Sequence, residues 1–306
     1  MDREVIAFAA FSLFIAAMMA VDLGLFHRKT HEVKIREALL LTSFWVTLAV
    51  VFGLGIYGVR GPRPALEFFT GYLIEECLSV DNLFVFLLIF SYFSVPRIYQ
   101  HKVLVWGIVG VMLLRAVFIV SGVALIRHFE WILYVFGGIL ILSGVKLFSE
   151  KDKKIEPEKN PLLKFFKRLM PVTPHYEEDK FFVKRSGRMY ATPLFVVLLV
   201  IETTDVIFAV DSIPAIFAIT LDPFIVFTSN IFAVLGLRAM FFVLSGMMEK
   251  FQHLHYGLSF ILVFVGVKML VHGVLDIPVG IALGVIALTL ALSVAASLLW
   301  PEKGQE

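Results

Sequence analysis

Nine long apolar segments, separated by short polar stretches, dominate this chain of 306 residues. Each is about 20 residues or longer, the length that an α-helix needs to cross roughly 30 Å of hydrocarbon. The period-two alternation of membrane β-strands is absent. The pattern predicts an all-α polytopic membrane protein with about nine transmembrane helices, at 4–24, 38–58, 66–91, 102–122, 128–148, 191–220, 223–246, 254–273 and 279–300.

Composition agrees with this prediction and excludes several functions. The chain is 59% hydrophobic with a mean hydropathy of +0.89, whereas soluble domains are about 45–50% apolar. Its net charge is only +2 and most basic residues lie in loops, which argues against a nucleic-acid partner. The single cysteine, Cys77, excludes an intrachain disulfide and a cysteine metal cage. No Ser-His or Cys-His nucleophile pattern and no HExxH sequence is present, so we do not expect an enzyme.

Lysine and arginine are distributed unevenly between the two sets of loops. The loops that share a side with the C-terminus carry 19 of them, and the opposite side carries four. Cytoplasmic loops are enriched in these residues. We therefore expect the N-terminus outside, and the C-terminus and the long loop 149–190 in the cytoplasm. The first apolar segment is too long for a signal peptide and is expected to be retained.

The long loop 149–190 has two segments with structural signals. Residues 161–170 mix apolar and basic residues and could lie flat on the inner leaflet. Residues 180–190 place a Ser-Gly turn between two short strand-like runs, which predicts a hairpin. The sequence leaves open whether the loop is a solvated linker, a gating lid or a contact site for another protein.

Three segments of the chain recur in the same order. The pairs are VDNLFVF (80–86) with VDSIPAI (210–216), LLRAVFIVSG (113–122) with GLRAMFFVLSG (236–246), and ILILSGVKLF (139–148) with ILVFVGVKML (261–270). Each repeat, 66–148 and 191–273, holds three spans, so the second repeat runs opposite to the first. This predicts an inverted-topology repeat of spans 3–5 and 6–8, an architecture of secondary transporters whose substrate sites lie between the repeats.

Acidic residues recur inside the repeated spans. The alignment pairs Asp81 with Asp211, Asn82 with Ser212, and Glu75 with Asp205. Glu76 adds an acid in the first repeat and Glu202 adds one in the second. An ionised carboxylate at the bilayer centre costs about 2.5–3.5 kcal/mol on insertion scales. These acids must therefore be neutralised by protons, by basic partners or by a bound cation.

Helical geometry brings some of these groups together. At about 100° per residue, Glu75, Ser79 and Asn82 share one face, whereas Asp81 points away from it. Both Asp81 and Asp211 reach such a cluster only if helices unwind or several helices surround it. Pro214 favours unwinding, because it has no N–H for the carbonyl of Val210 and so frees that oxygen as a cation ligand.

The ligand atoms available at these positions limit which cations the site would bind. Carboxylates, an amide oxygen and hydroxyls suit Mn²⁺, Mg²⁺ or Ca²⁺, whereas Zn²⁺ and Cu⁺ sites usually recruit His, Cys or Met. The opposing interpretation is that the acids pair with bases, and it is favoured for Arg115 and Arg238, which are themselves repeated. Glu76 and Asp22 are ligand or proton-carrier candidates with an equally plausible structural role.

These motifs, from GYLIEECLSVDNLFVF to IETTDVIFAVDSIPAIFAIT and LGLRAM, resemble those of the TerC family of integral membrane proteins, and its Alx-type members most closely. The resemblance covers nearly the whole chain. It implies Mn²⁺ efflux across the bacterial inner membrane, with an association with tellurite resistance. The functional residues that it implies are Glu75, Asp81, Asn82, Glu202, Asp205, Asp211 and Ser212. Glu76 departs from the family pattern, which often has lysine there.

The leading hypothesis is a secondary transporter in the lipid bilayer that exports Mn²⁺ in exchange for protons and has no organic cofactor. A second hypothesis is a non-transporting membrane factor for the insertion or metal loading of exported proteins. A third is an oxyanion transporter that uses Arg115 and Arg238, which the excess of acids disfavours.

Overall fold

The computed structural model describes residues 2–25, 35–129, 131–149, 163, 166, 170–185, 187–245, 254–271, 275 and 277–299. The helices within these residues are α1 (Asp2–Leu25), α2 (Ile35–Arg60), α3 (Pro62–Tyr92), α4 (Arg97–His128), α5 (Ile132–Ser149), α6 (Pro193–Phe217), α7 (Pro223–Ser245), α8 (Leu254–Leu270) and α9 (Val279–Leu299). Strands β1 (Phe182–Arg185) and β2 (Arg188–Ala191) form the one sheet of the described part.

Each apolar segment predicted from the sequence coincides with one of these helices. Six of them, α2, α4, α5, α6, α7 and α9, are long and apolar enough to cross a membrane by length and composition. Helix α3 is also long, but five charged side chains interrupt its apolar sequence. The structure therefore has the several apolar helices of an integral membrane protein.

Helix α7 lies at the centre of the bundle. Residues 228–239 of this helix are all buried, and α7 packs against α2, α3 and α4. Aromatic rings fill the space on one side, where Phe52, Phe68 and Phe232 lie in mutual contact. Because α7 contacts several helices at once, a polar side chain on it, such as Asn230, can reach an acid of a neighbouring helix.

Helices α5 and α8 approach each other closely through small residues. A methyl group at Gly137 would lie 3.0 Å from the carbonyl oxygen of Gly266, and one at Gly144 would lie 2.8 Å from that of Ser259. The Ser259 hydroxyl donates a hydrogen bond to the Gly144 carbonyl at 2.5 Å. Small residues allow such close helix crossings in membranes, where no hydrophobic force drives helices together.

The hairpin predicted in the long loop is confirmed. Strands β1 and β2 pair antiparallel, with Arg185 opposite Arg188, and the turn contains Gly187 at φ +81°. A positive φ is readily adopted only by glycine, which explains the Ser-Gly signal. The predicted interfacial segment 161–170 lies outside the described residues except for Leu163, Phe166 and Met170.

The chain before the hairpin is attached to the junction between α3 and α4. The Tyr176 hydroxyl donates to the carbonyl of Phe93 at 2.7 Å. Lys102 of α4 forms an ion pair with Asp179 at 2.9 Å and lies over the ring of Phe181. Residues 171–192, here called the docked segment, are therefore attached to the helices at these positions.

Candidate ion-binding site

A fully enclosed ionic cluster joins α3, α4, α6 and α7. Arg115 of α4 has no solvent exposure and forms ion pairs with Glu75 of α3 and Asp205 of α6, the latter at 3.5 Å. Asn230 of α7 accepts a hydrogen bond from Arg115 Nη1 at 2.9 Å and donates one to Glu75 Oε2 at 3.1 Å. The Ser79 hydroxyl lies 3.4 Å from Glu75 Oε1. Glu75 and Asp205 are equivalent in the predicted repeat, so the cluster joins the two repeats.

Several polar atoms around this cluster have no hydrogen-bond partner among the described residues. They include Oε2 of Glu202, Oδ2 of Asp205 and Nε of Arg115, whereas the Tyr72 phenol lies within hydrogen-bonding reach of Glu76. Glu76 lies close to Glu75, and Glu202 lies close to Asp205. Leaving a buried polar group unpaired costs about 1–3 kcal/mol, and more if it is charged. In the described part of the cluster, the carboxylate groups therefore outnumber the single guanidinium group of Arg115.

Glycines make the room for the two additional acids. The Glu202 carboxylate occupies the position that a side chain at Gly110 of α4 would take. Glu76 Oε1 would lie 3.3 Å from a methyl group at Gly236 of α7. The acids therefore point between helices toward neighbouring backbone and not toward the lipid.

Asp211 lies in a different environment, a cavity of about 510 Å³ between α3, α5, α6 and α8. It accepts a hydrogen bond from the Ser143 hydroxyl at 2.7 Å. Asn82, Lys146 and Ser212 also line this cavity. Asn82 Nδ2 is buried without a partner among the described residues. Ser212 also lies beside Glu75, so the cavity adjoins the enclosed cluster.

The predicted unwinding at Pro214 is wrong. Helix α6 continues without a break to Phe217, with Pro214 inside it. Because the helix ends within one turn after Pro214, the missing N–H removes only one hydrogen bond near its end. Val210 lies on the continuous helix and beside the cavity, so its carbonyl stays a candidate ligand without any unwinding.

The structure divides the predicted site residues between these two places. Glu75 and Asp205 belong to the enclosed cluster with Glu76 and Glu202 beside them, whereas Asp211, Asn82 and Ser212 line the cavity. Within the described residues, no three His, Cys, Asp or Glu side chains converge as a preformed metal site. The side chains of Asp81 and Asp22 lie outside the described residues.

The sequence predicts both arginines as counter-charges, and the structure adds two polar side chains to the site. Arg115 is a counter-charge for two acids, whereas Nη1 of Arg238 lies 3.4 Å from Nε2 of His101. Asn230 and Ser143 were not singled out, although Asn230 interrupts an apolar run and was therefore detectable. Ser143 lies in the repeated segment 139–148 but is replaced by Val265 in the second copy, and Asn230 lies in none of the repeated segments.

A second cavity, of about 740 Å³, lies where α3 begins and α6 and α8 end. Glu67 lines it and accepts hydrogen bonds from Thr220 at 2.7 Å and from Arg63 at 3.1 Å. Lys268 also lines it and donates to the carbonyl of Ala218 at 2.5 Å. Lys268 is the repeat equivalent of Lys146 in the first cavity.

Apolar helices around a buried ionic cluster define the class of this molecule as an integral membrane protein with polar groups in its interior. A family described as "Integral membrane protein TerC family" matches residues 60–305. The chain belongs to this family, as its motifs indicated.

Relatives resemble the chain over almost its full length. An uncharacterized membrane protein of Myxococcus xanthus, STKORF319, is 53% identical over 95% of this chain and 91% of its own length. The Escherichia coli (strain K12) protein named "Putative membrane-bound redox modulator Alx" is 46% identical over 90% of this chain and 89% of its own. A Rickettsia bellii membrane protein is 44% identical over 94% and 96%, respectively. No solved structure matches the chain significantly.

Proposed function

We propose that this protein is a secondary transporter that exports Mn²⁺ across the bacterial inner membrane in exchange for protons. The observation that carries the proposal is the excess of buried carboxylates: Glu75 and Asp205 share one arginine, and beside them Glu202 keeps an unpaired oxygen among the described residues. Glu76 adds a further acid whose neighbour Tyr72 is a neutral phenol. Buried charge without a partner is costly, and carboxylate, amide and hydroxyl oxygens are ligands that Mn²⁺ accepts, with Mg²⁺ and Ca²⁺ as the other candidates. Family membership supports the membrane location.

The proposal includes nine spans and an inverted repeat. If a two-fold axis relates the repeats, each contact between them has an equivalent contact in which the repeats are exchanged. The contact of α3 with α7 then corresponds to that of α6 with α4, and both are present. The same exchange converts the Gly137–Gly266 approach into the Ser259–Gly144 approach, and both are present. These pairs support a pseudo-two-fold relation between residues 66–148 and 191–273. The uneven distribution of lysine and arginine supports an N-terminus outside and a C-terminus in the cytoplasm.

In this topology the two cavities open at opposite ends of the bundle. The cavity beside Asp211 lies toward the cytoplasmic ends of α5 and α8, and the cavity beside Glu67 lies toward the outer ends of α6 and α8. The enclosed cluster lies between the repeats. Such an arrangement suits alternating access, in which a central site connects with one side of the membrane at a time.

The names of the relatives add a competing function, redox modulation. A dithiol mechanism within one chain is excluded, because Cys77 is the one cysteine of the sequence. A membrane factor for insertion or metal loading stays an alternative, supported by the docked segment 171–192, which exposes a surface for a partner. Oxyanion transport is disfavoured, because the acids hold Arg115 and an anion would meet a negative surface.

Purified protein in liposomes with an imposed pH gradient tests the proposal. We expect Mn²⁺ flux that follows the proton gradient and falls strongly in Asp211→Asn and Asp81→Asn. Flux that is independent of the pH gradient would contradict the exchange for protons. Unchanged flux in both variants would show that these two acids do not form the transport site. Capture of a partner by the loop, with no flux of Mn²⁺, Mg²⁺ or Ca²⁺, would favour the membrane factor.

A further inference from the structure

Arg115 occupies the space between the two repeat-equivalent acids of the site. Its Nη1 pairs with Glu75 and donates to Asn230 at 2.9 Å, and its Nη2 lies 3.5 Å from Asp205 Oδ1. All three charged side chains are completely buried. A cation that bound between Glu75 and Asp205 would have to take the place that the guanidinium now fills.

The guanidinium cannot vacate this place by losing a proton. Arginine stays protonated in proteins, unlike lysine or histidine. Binding of another cation between the acids therefore requires the side chain of Arg115 to move. Asn230 helps to hold the Arg115 side chain in its present position, because it contacts both the guanidinium and Glu75.

The contacts of Arg115 are incomplete, which distinguishes it from a fully satisfied structural ion pair. Nε of Arg115 and Oδ2 of Asp205 are both buried without a partner among the described residues. One guanidinium between two carboxylates also leaves one negative charge uncompensated when both acids are ionised. A divalent cation in the same place would balance both charges, so the exchange is electrostatically reasonable.

Polar residues connect the cavity to the enclosed pair. Ser212 lines the cavity next to Asp211 and also lies beside Glu75. Asn82 lines the same cavity and shares a face of α3 with Ser79 and Glu75. A cation that enters the cavity therefore needs to pass only this short polar boundary to meet Glu75.

We propose that Arg115 is an internal competitor of the transported cation, which holds Glu75 and Asp205 when the site is empty and displaces the cation during release. This inference rests on the proposed cation transport and assigns a specific step of it to one side chain. Without the competitor, the cation should bind more tightly and leave more slowly.

Equilibrium binding of Mn²⁺ to purified full-length Arg115→Gln, together with flux in liposomes, tests the inference. We expect Kd to fall by about tenfold or more, because each 1.4 kcal/mol of removed competition is worth about a factor of ten. We expect the flux to fall in the same variant, because release loses its driving group. A side chain with only a structural role would give weaker binding together with weaker flux.

Arg238→Gln is the matched control, since Arg238 is the repeat equivalent of Arg115 and lies near His101. Its Kd should stay close to that of the wild type. Arg115→Lys serves if the glutamine variant does not fold, because it keeps the charge but loses the planar fork that contacts several acceptors. We expect the lysine variant to bind Mn²⁺ several-fold more tightly than the wild type.

The outcomes separate this inference from the proposed function. If the wild-type protein neither binds nor transports Mn²⁺, Mg²⁺ or Ca²⁺, the transport proposal fails and this inference fails with it. If the wild type transports Mn²⁺ but the folded Arg115 variants bind it no more tightly, only the competitor role is wrong. If neither variant folds, Arg115 is a fixed structural ion pair and the competitor role is also wrong.

Discussion

Acidic side chains inside this bundle lie in two different environments. Glu75 and Asp205 are held by a buried guanidinium, whereas Asp211 accepts a hydrogen bond from a neutral hydroxyl and faces a cavity. Asp211 is therefore the acid that an incoming cation can reach first, and Glu75 and Asp205 are the ones that require rearrangement.

The room for Glu202 depends on a single glycine, and Gly110→Ala tests this dependence. The added methyl group would overlap the Glu202 carboxylate, so we expect the carboxylate to be displaced and Mn²⁺ flux to fall several-fold. Gly107→Ala, one turn away on α4, is the control, because its methyl group would meet its nearest neighbour at an ordinary 3.5 Å. Equal flux in both variants would show that the position of Glu202 does not matter.

Among the helices, the crossing of α5 and α8 bears most directly on the two cavities. Helices α5 and α8 cross through small residues, and each contributes a lysine to a different cavity. The crossing therefore joins two helices that line both cavities.

Gly137→Ala should destabilise the crossing between α5 and α8. The new methyl group would lie 3.0 Å from the Gly266 carbonyl, and overpacking of this kind costs about 1–3 kcal/mol. The neighbouring Gly138→Ala has nothing within 4 Å, so it should be neutral or slightly stabilising because alanine favours helix. Thermal unfolding of the two variants in detergent provides the measurement, and equal unfolding temperatures would contradict the crossing.

The docked loop segment is a second element whose attachment can be measured. Tyr176→Phe removes the hydrogen bond to the Phe93 carbonyl, worth about 0.5–1.5 kcal/mol. We expect faster tryptic cleavage at Lys180 and Lys184, whereas Tyr57→Phe, at an exposed position on α2, should leave the cleavage rate unchanged. A wild-type rate for Tyr176→Phe would show that this contact does not hold the segment.

The attachment of the docked segment depends on pH because the Tyr176 phenol can lose its proton. Burial raises the pKa of Tyr176 from 10.0 to about 12. The folded-state pKa lies above the unfolded value. The contribution of Tyr176 to the stability of the attachment is therefore complete below pH 10 and is lost as the pH rises through about 12. Resistance of the segment to cleavage should therefore stay constant between pH 7 and 9, when corrected for the activity of the protease.

At the scale of the whole molecule, the proposed inverted repeat predicts a difference in accessibility between its two halves. Leu147 lines one cavity and its repeat equivalent, Met269, lines the other. In a Cys77→Ser background, a membrane-impermeant thiol reagent should label Leu147→Cys from the cytoplasmic side and Met269→Cys from the outside. Labelling of both from the same side would overturn the inverted arrangement.

The sequence by itself determined the apolar helices, the positions of the acids within them and the hairpin at the Ser-Gly turn. Those features depend on segment length, on 3.6-residue periodicity and on the conformational freedom of one glycine, all of which are local. The spacing of Glu75, Ser79 and Asn82 likewise predicted a common helix face, and all three are buried.

Only the tertiary structure decided which groups meet. Arg115 lies 40 residues from Glu75 in sequence, and Asn230 lies 155 residues from Glu75, so no local rule could pair them. The faces that two membrane helices bury against each other depend on close packing and on interhelical polar contacts, because lipid and helix are similarly apolar. For this reason the division of the acids between an arginine-held cluster and an open cavity, and the continuity of α6 through Pro214, emerged only from the packed bundle.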